Sequence, residues 1–281
     1  MNNITKFLFL GFILFFHLNC EKSHRSDNTH TYLHLSHTRT EADDTIDSTA
    51  LKIDFTKFDM LWLGGDLTYY TSTKEETLSY VDSVFDIGNP NTLWALGNHD
   101  YADINRIQKF TKRPPYYIYH QDGITFMILD TQDSLSYITG KQKEFFHNVI
   151  DTLQTSSHLI ILHHKLIWLY GNPALEPKIP TVSNAGLGDC FVCLNPNNFY
   201  TDLYPELLKV KQKGIEVLCV AGDIGTKIKE FEYQSPEGIY FLASGIEHGE
   251  TGNKALVFHY DLISRRMEWR YRLINSLLTH P

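Results

Sequence analysis

The sequence is expected to fold as an α/β domain with mixed sheets, and three observations predict it. Apolar runs of strand length alternate with helix-like stretches through most of the chain. Five of those runs deliver Asp, Asn, His or Arg at their carboxyl ends, the place where open α/β sheets bind ligands. Two segments near the end, residues 255–261 and 266–273, alternate apolar and polar residues and read as a closing antiparallel hairpin. The 281 residues suffice for one large domain with a substantial core, and 42% apolar with 13% aromatic content is ordinary for a globular protein. A net charge of -8 supplies no basic surface and argues against a nucleic-acid partner.

Residues 1–20 read as a targeting segment. Lys6 gives the basic start, and 7–16 form an apolar run too short for a stable membrane span. The run ends at Cys20, which resembles a bacterial lipoprotein signal; simple secretion is the alternative. In the lipoprotein case a lipidated Cys20 holds the protein on a membrane surface of the bacterial cell envelope, with 21–31 as a polar tether and 32–275 as the folded domain.

Residues 32–36 are the first strand, ending at His37-Thr38-Arg39. An acidic loop over 41–49 leads to a helix expected over 49–58. Residues 60–66 run from an apolar strand into Gly64-Gly65-Asp66. A helix follows over 71–86, with Thr73 as its N-cap and Glu75 and Glu76 in the first turn. The strand over 92–96 runs straight into Gly97-Asn98-His99-Asp100. In that turn Asn98 offers a carbonyl oxygen to a metal, His99 a titratable proton, and Asp100 an acceptor to orient His99. A short helix over 104–110 is stopped by Pro114-Pro115, and an Asp122-Gly123 turn joins a hairpin over 116–119 and 124–130. Residues 140–153 read as an amphipathic helix before the strand over 158–164, which ends in His163-His164. Residues 168–200 are rich in Pro and Gly and are read as a lid or collar beside the site, against a plain solvated insertion as the alternative. Within them Cys190 and Cys193 are expected to form a small-loop disulfide, while Cys219 is a buried thiol. A helix over 205–213, capped by Gly214, feeds the strand over 215–223 ending in Gly222-Asp223. A last strand, 239–244, precedes a turn carrying His248, read as a surface histidine.

Gly65-Asp66, Gly97-Asn98-His99-Asp100 and His163-His164 match, in order and spacing, the G-D, G-N-H-D/E and strand-end His motifs of the calcineurin-like metallophosphoesterases. The chain resembles that family over roughly 31–273. The resemblance implies a four-layer α/β/β/α sandwich of two mixed sheets flanked by helices. Two motifs depart from the family pattern. His37-Thr38-Arg39 stands where the family has D-x-H, and Gly222-Asp223-Ile224-Gly225 stands where it has G-H-x-H. Carried over residue by residue, one metal position keeps Asp66, Asn98 and His163, with Asp223 in place of a His. The other keeps the shared Asp66 and His37 but gains Arg39. The resemblance therefore implies one divalent metal per chain, of manganese, iron or zinc type. Arg39 would then substitute for the second cation, with His99, poised by Asp100, as general acid. The substrate implied is a small phosphoester or phosphorylated glycan. The alternative is a catalytically inactive member that binds metal and a phosphorylated or glycan ligand without turning it over.

Overall fold

The computed structural model describes residues 28–41 and 43–278, so the targeting segment and most of the expected tether lie outside the described residues. Among the described residues, eleven strands form two sheets. The first is built from β1 (Thr29–Leu35), β2 (Met60–Leu63), β3 (Thr92–Trp94), β10 (Lys254–Asp261) and β11 (Arg266–Leu273), in the order β11-β10-β1-β2-β3. The second is built from β4 (Tyr117–Gln121), β5 (Ile124–Ile128), β6 (His158–His163), β7 (Glu216–Ala221), β8 (Glu230–Gln234) and β9 (Tyr240–Ser244), in the order β4-β5-β6-β7-β9-β8. Strands β1, β2 and β3 are mutually parallel, as are β5, β6, β7 and β9. The closing hairpin pairs antiparallel with β1, so Tyr32 lies opposite Phe258. Both sheets are mixed and flanked by helices, which is the four-layer sandwich.

Period-2 alternation assigns each side chain to a layer. Tyr32, Trp62 and Phe258 of the first sheet meet Phe126, Ile160, Leu162 and Leu218 of the second in the middle layer. Trp62 is wholly buried there, with ring centroids 5.2 Å from Phe126 and 4.5 Å from Phe258. Truncating it to alanine would cost about 3–5 kcal/mol through lost burial and a cavity. The alternate residues, Leu33, Leu35, Leu61 and Leu63, pack on Leu78, Val81 and Phe85 of α1 (Glu75–Phe85) and Ile107 of α2 (Ile104–Thr111). On the far side, Leu159 and Ile161 pack on Phe146 and Ile150 of α3 (Gly140–Thr152) and on Leu207 and Val210. One turn, α4 (Ile179–Val182), precedes α5 (Tyr204–Gln212), which carries those last two residues.

Several local expectations are corrected. Residues 49–58 make two 3-10 turns rather than a helix. Thr73 does not cap α1; the N-cap is Lys74, without a side-chain hydrogen bond, and the Arg106 guanidinium takes the Ser72 and Thr73 carbonyls. Strand β1 begins at Thr29, inside the expected tether. Strand β8 was not anticipated: its sequence, EFEYQ, is mostly polar because it is an edge strand. The expected Cys190–Cys193 disulfide forms, and Cys219 is buried.

Parallel pairing brings the carboxyl ends of β1, β2 and β3 to one edge of their sheet, and those of β6, β7 and β9 to one edge of theirs. The two edges touch at Gly64 and Gly222. A Cβ on Gly222 would fall 2.8 Å from Gly64 Cα, so only glycine permits the approach.

Candidate active site

Asp66 is the centre of the site. It follows β2 directly, with a left-handed backbone (φ 58°), and is almost wholly buried. Its Oδ1 accepts the His99 backbone N–H at 3.0 Å and lies 3.7 Å from His164 Nε2, while its Oδ2 lies 3.6 Å from His37 Nε2. Gly97 has to be glycine here, because a Cβ would run into Asp66 Oδ1 and the His164 ring. His37, also left-handed (φ 56°), donates Nδ1–H to the Ile246 carbonyl at 3.1 Å, which leaves Nε2 facing Asp66. Burial pulls its pKa down to about 4, against the opposing pull of Asp66.

His164 joins the two halves of the site. Its Nδ1–H is donated to the Gly64 carbonyl at 2.7 Å, and its Nε2 also lies 4.0 Å from Asp223 Oδ1. Burial works against charge on this ring, but Asp66 and Asp223 outweigh it and hold its pKa above the ordinary imidazole value. Burial would likewise raise the Asp66 carboxyl, yet His164, His37 and His99 together hold it low. For Asp223 the balance is the reverse, and burial prevails over His164 and raises it.

His99 is half-buried on the turn after β3, with Asn98 beside it. Its Nδ1 donates to the Tyr69 carbonyl at 2.8 Å, and its ring lies 4.8 Å from the Tyr69 ring. The other face of this arrangement is Arg39, whose guanidinium carbon sits 5.4 Å from the Tyr69 ring centroid, within cation–π range. One Arg39 nitrogen donates to Thr40 O at 3.2 Å, and its buried Nε has no partner among the described residues.

Two role assignments made from the sequence do not survive this geometry. Asp100 does not orient His99. It accepts the backbone N–H groups of Asp66 (2.7 Å), Leu67 (3.1 Å) and Gly97 (2.8 Å), and the Thr71 hydroxyl (2.6 Å). Three of those bonds tie the loop after β2 to the loop after β3 and the Gly97 bond closes the turn itself, while Tyr69 O does the orienting. His163 is not in the site either. It shares the face of Leu159 and Ile161, packs 4.7 Å from the Trp168 ring, and donates Nδ1–H to Lys165 O at 2.7 Å. The next residue, His164, occupies the position assigned to it. His248 pairs with Asp47 at 2.8 Å, tying its turn to the loop after β1.

The expected metal centre is corrected for the same reason. His37 and Asp66 stand 3.6 Å apart and Asp66 and Asp223 share His164, but with His163 turned away the expected ligand set is not completed. Among the described residues no group of three or more His, Cys, Asp or Glu is arranged to hold a metal ion. What the site presents is pairs of acid and imidazole, with Asp66 and Asp223 both served by His164. A membrane-spanning reading is not borne out, as no helix among the described residues is long and apolar enough to cross a membrane; the lipid anchor expected at Cys20 lies outside the described residues.

One more cation, unforeseen, stands beside the site. Lys165 follows His164 and is wholly buried, and its Nζ donates to Phe191 O at 2.8 Å. Burial lowers its pKa to about 8, against the pull of Asp223, Asp130 and Asp66. The only signal for it in the sequence is its place directly after a strand-end histidine pair.

Comparison with solved structures finds a dimetal phosphatase from Danio rerio, 12% identical, with a TM-score of 0.54 over 87% of this chain and 96% of that one. A 5'-nucleotidase precursor from Thermus thermophilus (11% identity, TM-score 0.42) and the NAD nucleotidase of Haemophilus influenzae (13%, 0.39) match 87% and 86% of this chain. The chain spans only 54% and 49% of those two proteins. At such identities the first likeness speaks for the fold alone. No curated protein matches. A model of the family described as calcineurin-like phosphoesterase matches residues 29–186, more than half of the sequence. The chain therefore belongs to the calcineurin-like phosphoesterases and is classed with the metallophosphoesterase hydrolases.

Proposed function

We propose that the chain hydrolyses small phosphoesters, phosphorylated glycans among them, in the cleft around Asp66, with His99 as general acid. The observation that carries this reading is the fixed tautomer of His99. Because Tyr69 O takes the proton on Nδ1, Nε2 is left to exchange a proton with a leaving group. Positive charge for the phosphoryl oxygens comes from Arg39, a permanent cation with a planar fork suited to them. Family membership implies metal dependence in general terms. The donor set expected for a single divalent ion is not completed among the described residues, so the reading rests on Arg39 and His99. The rival reading is a domain that binds a phosphorylated or glycan ligand without turnover. It is favoured by one observation, the lack of a three-ligand metal group among the described residues.

Turnover of a broad phosphoester panel, with manganese, iron or zinc supplied in turn, tests both readings. Arg39→Ala is expected to lower turnover on the order of a hundredfold, the usual cost of losing one preorganised charge donor. Arg39→Lys should retain part of the activity. His99→Ala should hurt alkyl phosphates most and nitrophenyl phosphates least, since the latter leave without a proton. Wild-type protein that binds phosphate but turns over nothing would replace the hydrolase with the binding domain. As part of the same proposal, we place the domain at the bacterial cell envelope through a lipidated Cys20. Loss of labelled palmitate from Cys20→Ala is the expected result, and an unlabelled wild type would leave secretion.

A further inference from the structure

Part of the irregular segment after β6 lies against the site and is held there with unusual care. The Cys190–Cys193 disulfide closes a tight turn. Asn195 braces it three times, accepting the Cys190 N–H at 2.9 Å and donating to the Cys190 carbonyl at 2.9 Å and the Cys193 carbonyl at 3.2 Å. Between the cysteines, the Phe191 carbonyl takes the buried Lys165 ammonium at 2.8 Å. Burying an ammonium is expensive, and here part of its compensation is a bond to an otherwise exposed loop.

The result is a large ring fixed in place yet open to solvent. Phe191 is 41% exposed. Its inner side meets Tyr101, with centroids 5.8 Å apart and planes at 57°. Tyr101 is fixed in turn by its hydroxyl, which donates to the buried Asp130 carboxylate at 2.7 Å. Two chain links tie the pair to the site, since Tyr101 is two residues after His99, and Lys165, whose ammonium is bound by the Phe191 carbonyl, is one after His164. A braced, part-exposed aromatic ring on a loop bound to the residue after His164 is the kind of surface a planar apolar group would cover.

We propose that Phe191 and Tyr101 form a platform for an aromatic leaving group, so that the site selects aryl phosphoesters over small alkyl ones. This rests on the phosphoester reading given above. The platform supplies a part-exposed ring, with the Lys165 ammonium 5.9 Å from its centroid, and a neighbouring tilted ring. Aromatic contact of that kind gives an aryl group about a three- to tenfold advantage in affinity over a methyl group.

Calorimetric titration of the protein with phenylphosphonate and with methylphosphonate, neither of which can be hydrolysed as an ester, tests the platform separately from turnover. Wild type should bind the phenyl compound about three- to tenfold more tightly. In Phe191→Ala the ratio of the two affinities should fall towards one, and Phe191→Tyr should restore it. Thermal unfolding of the same samples checks that each variant is folded. Should Phe191→Ala fail to fold, the double variant Cys190→Ser/Cys193→Ser, which frees the turn, should lower the ratio in its place. A ratio near one in wild type, or a ratio that Phe191→Ala leaves unchanged, would overturn the platform while the phosphoester reading stands. The unchanged ratio is also what a ring used for lipid or protein contact would give. If neither phosphonate binds, the cleft itself is not a phosphoryl site and the platform falls with it.

Discussion

Replacement of Asp100 separates two meanings of the Gly97-Asn98-His99-Asp100 turn. If Asp100 served His99, its loss would change proton transfer and leave the fold alone. The geometry says otherwise: its two oxygens take three backbone N–H groups and one hydroxyl, from three different stretches of chain. Asp100→Ala leaves those three buried N–H groups, at Asp66, Leu67 and Gly97, without a partner. Each unsatisfied buried donor costs about 1–3 kcal/mol. Burial, followed by the nearby Asp66, pushes the Asp100 pKa up, so the carboxylate contributes less than the sum of its bonds. A net loss of about 3–5 kcal/mol is expected, which is a large part of the stability of an ordinary domain. Urea unfolding followed by tryptophan fluorescence measures it. An Asp100→Ala protein within about 1 kcal/mol of wild type, with a displaced pH–rate profile, would refute the structural role and restore the orienting one.

What the sequence could disclose divides along a physical line. Strand ends are legible because apolar runs that stop at Gly and a polar residue have a local signature, and the other four endings gather around Asp66, Asp223 through His164. The four-layer order was legible once the motif series was in hand. Which of two adjacent histidines faces the site was not. Both faces of β6 are buried, so 158–163 is continuously apolar or His and carries no alternation to fix its parity. The direction of His163 is decided by Trp168 and by Lys165 O, contacts made by residues that the motif does not include. Asp100 was misread for a related reason. A carboxylate beside an imidazole in sequence suggests a dyad, but the turn points the two side chains to different partners. Tyr69 orients His99 through a backbone carbonyl, and any residue type could supply that.

Three further outcomes follow from the same geometry. His164→Gln should lose at least a hundredfold of turnover per folded molecule, while His163→Gln should stay within about threefold and lower the unfolding midpoint instead; equal catalytic losses would reinstate His163. Gly97→Ala, whose methyl would strike Asp66 and His164, should fold less stably and lose activity, whereas Gly186→Ala, which meets nothing within 4 Å, should be neutral in both assays. The pH dependence of stability is worked from two histidines away from the catalytic cluster. Burial lowers His34 to about 3 and His158 to about 4 from the ordinary 6.5, so both stay neutral in the native protein as pH falls. The unfolded chain protonates them near 6.5, and the state that binds more protons gains on acidification. Stability is therefore fully present above about pH 6.5 and declines as pH falls towards 4, by up to about 1.4 kcal/mol per pH unit for each histidine. His34 donates or accepts at Ser244 Oγ (2.9 Å), a bond that asparagine can partly keep, so His34→Asn should flatten the decline by about one proton without steepening it elsewhere. Urea unfolding at a series of pH values from 7 to 4.5 reads that slope directly, and a His34→Asn slope equal to wild type would mean that His34 is protonated in the native state.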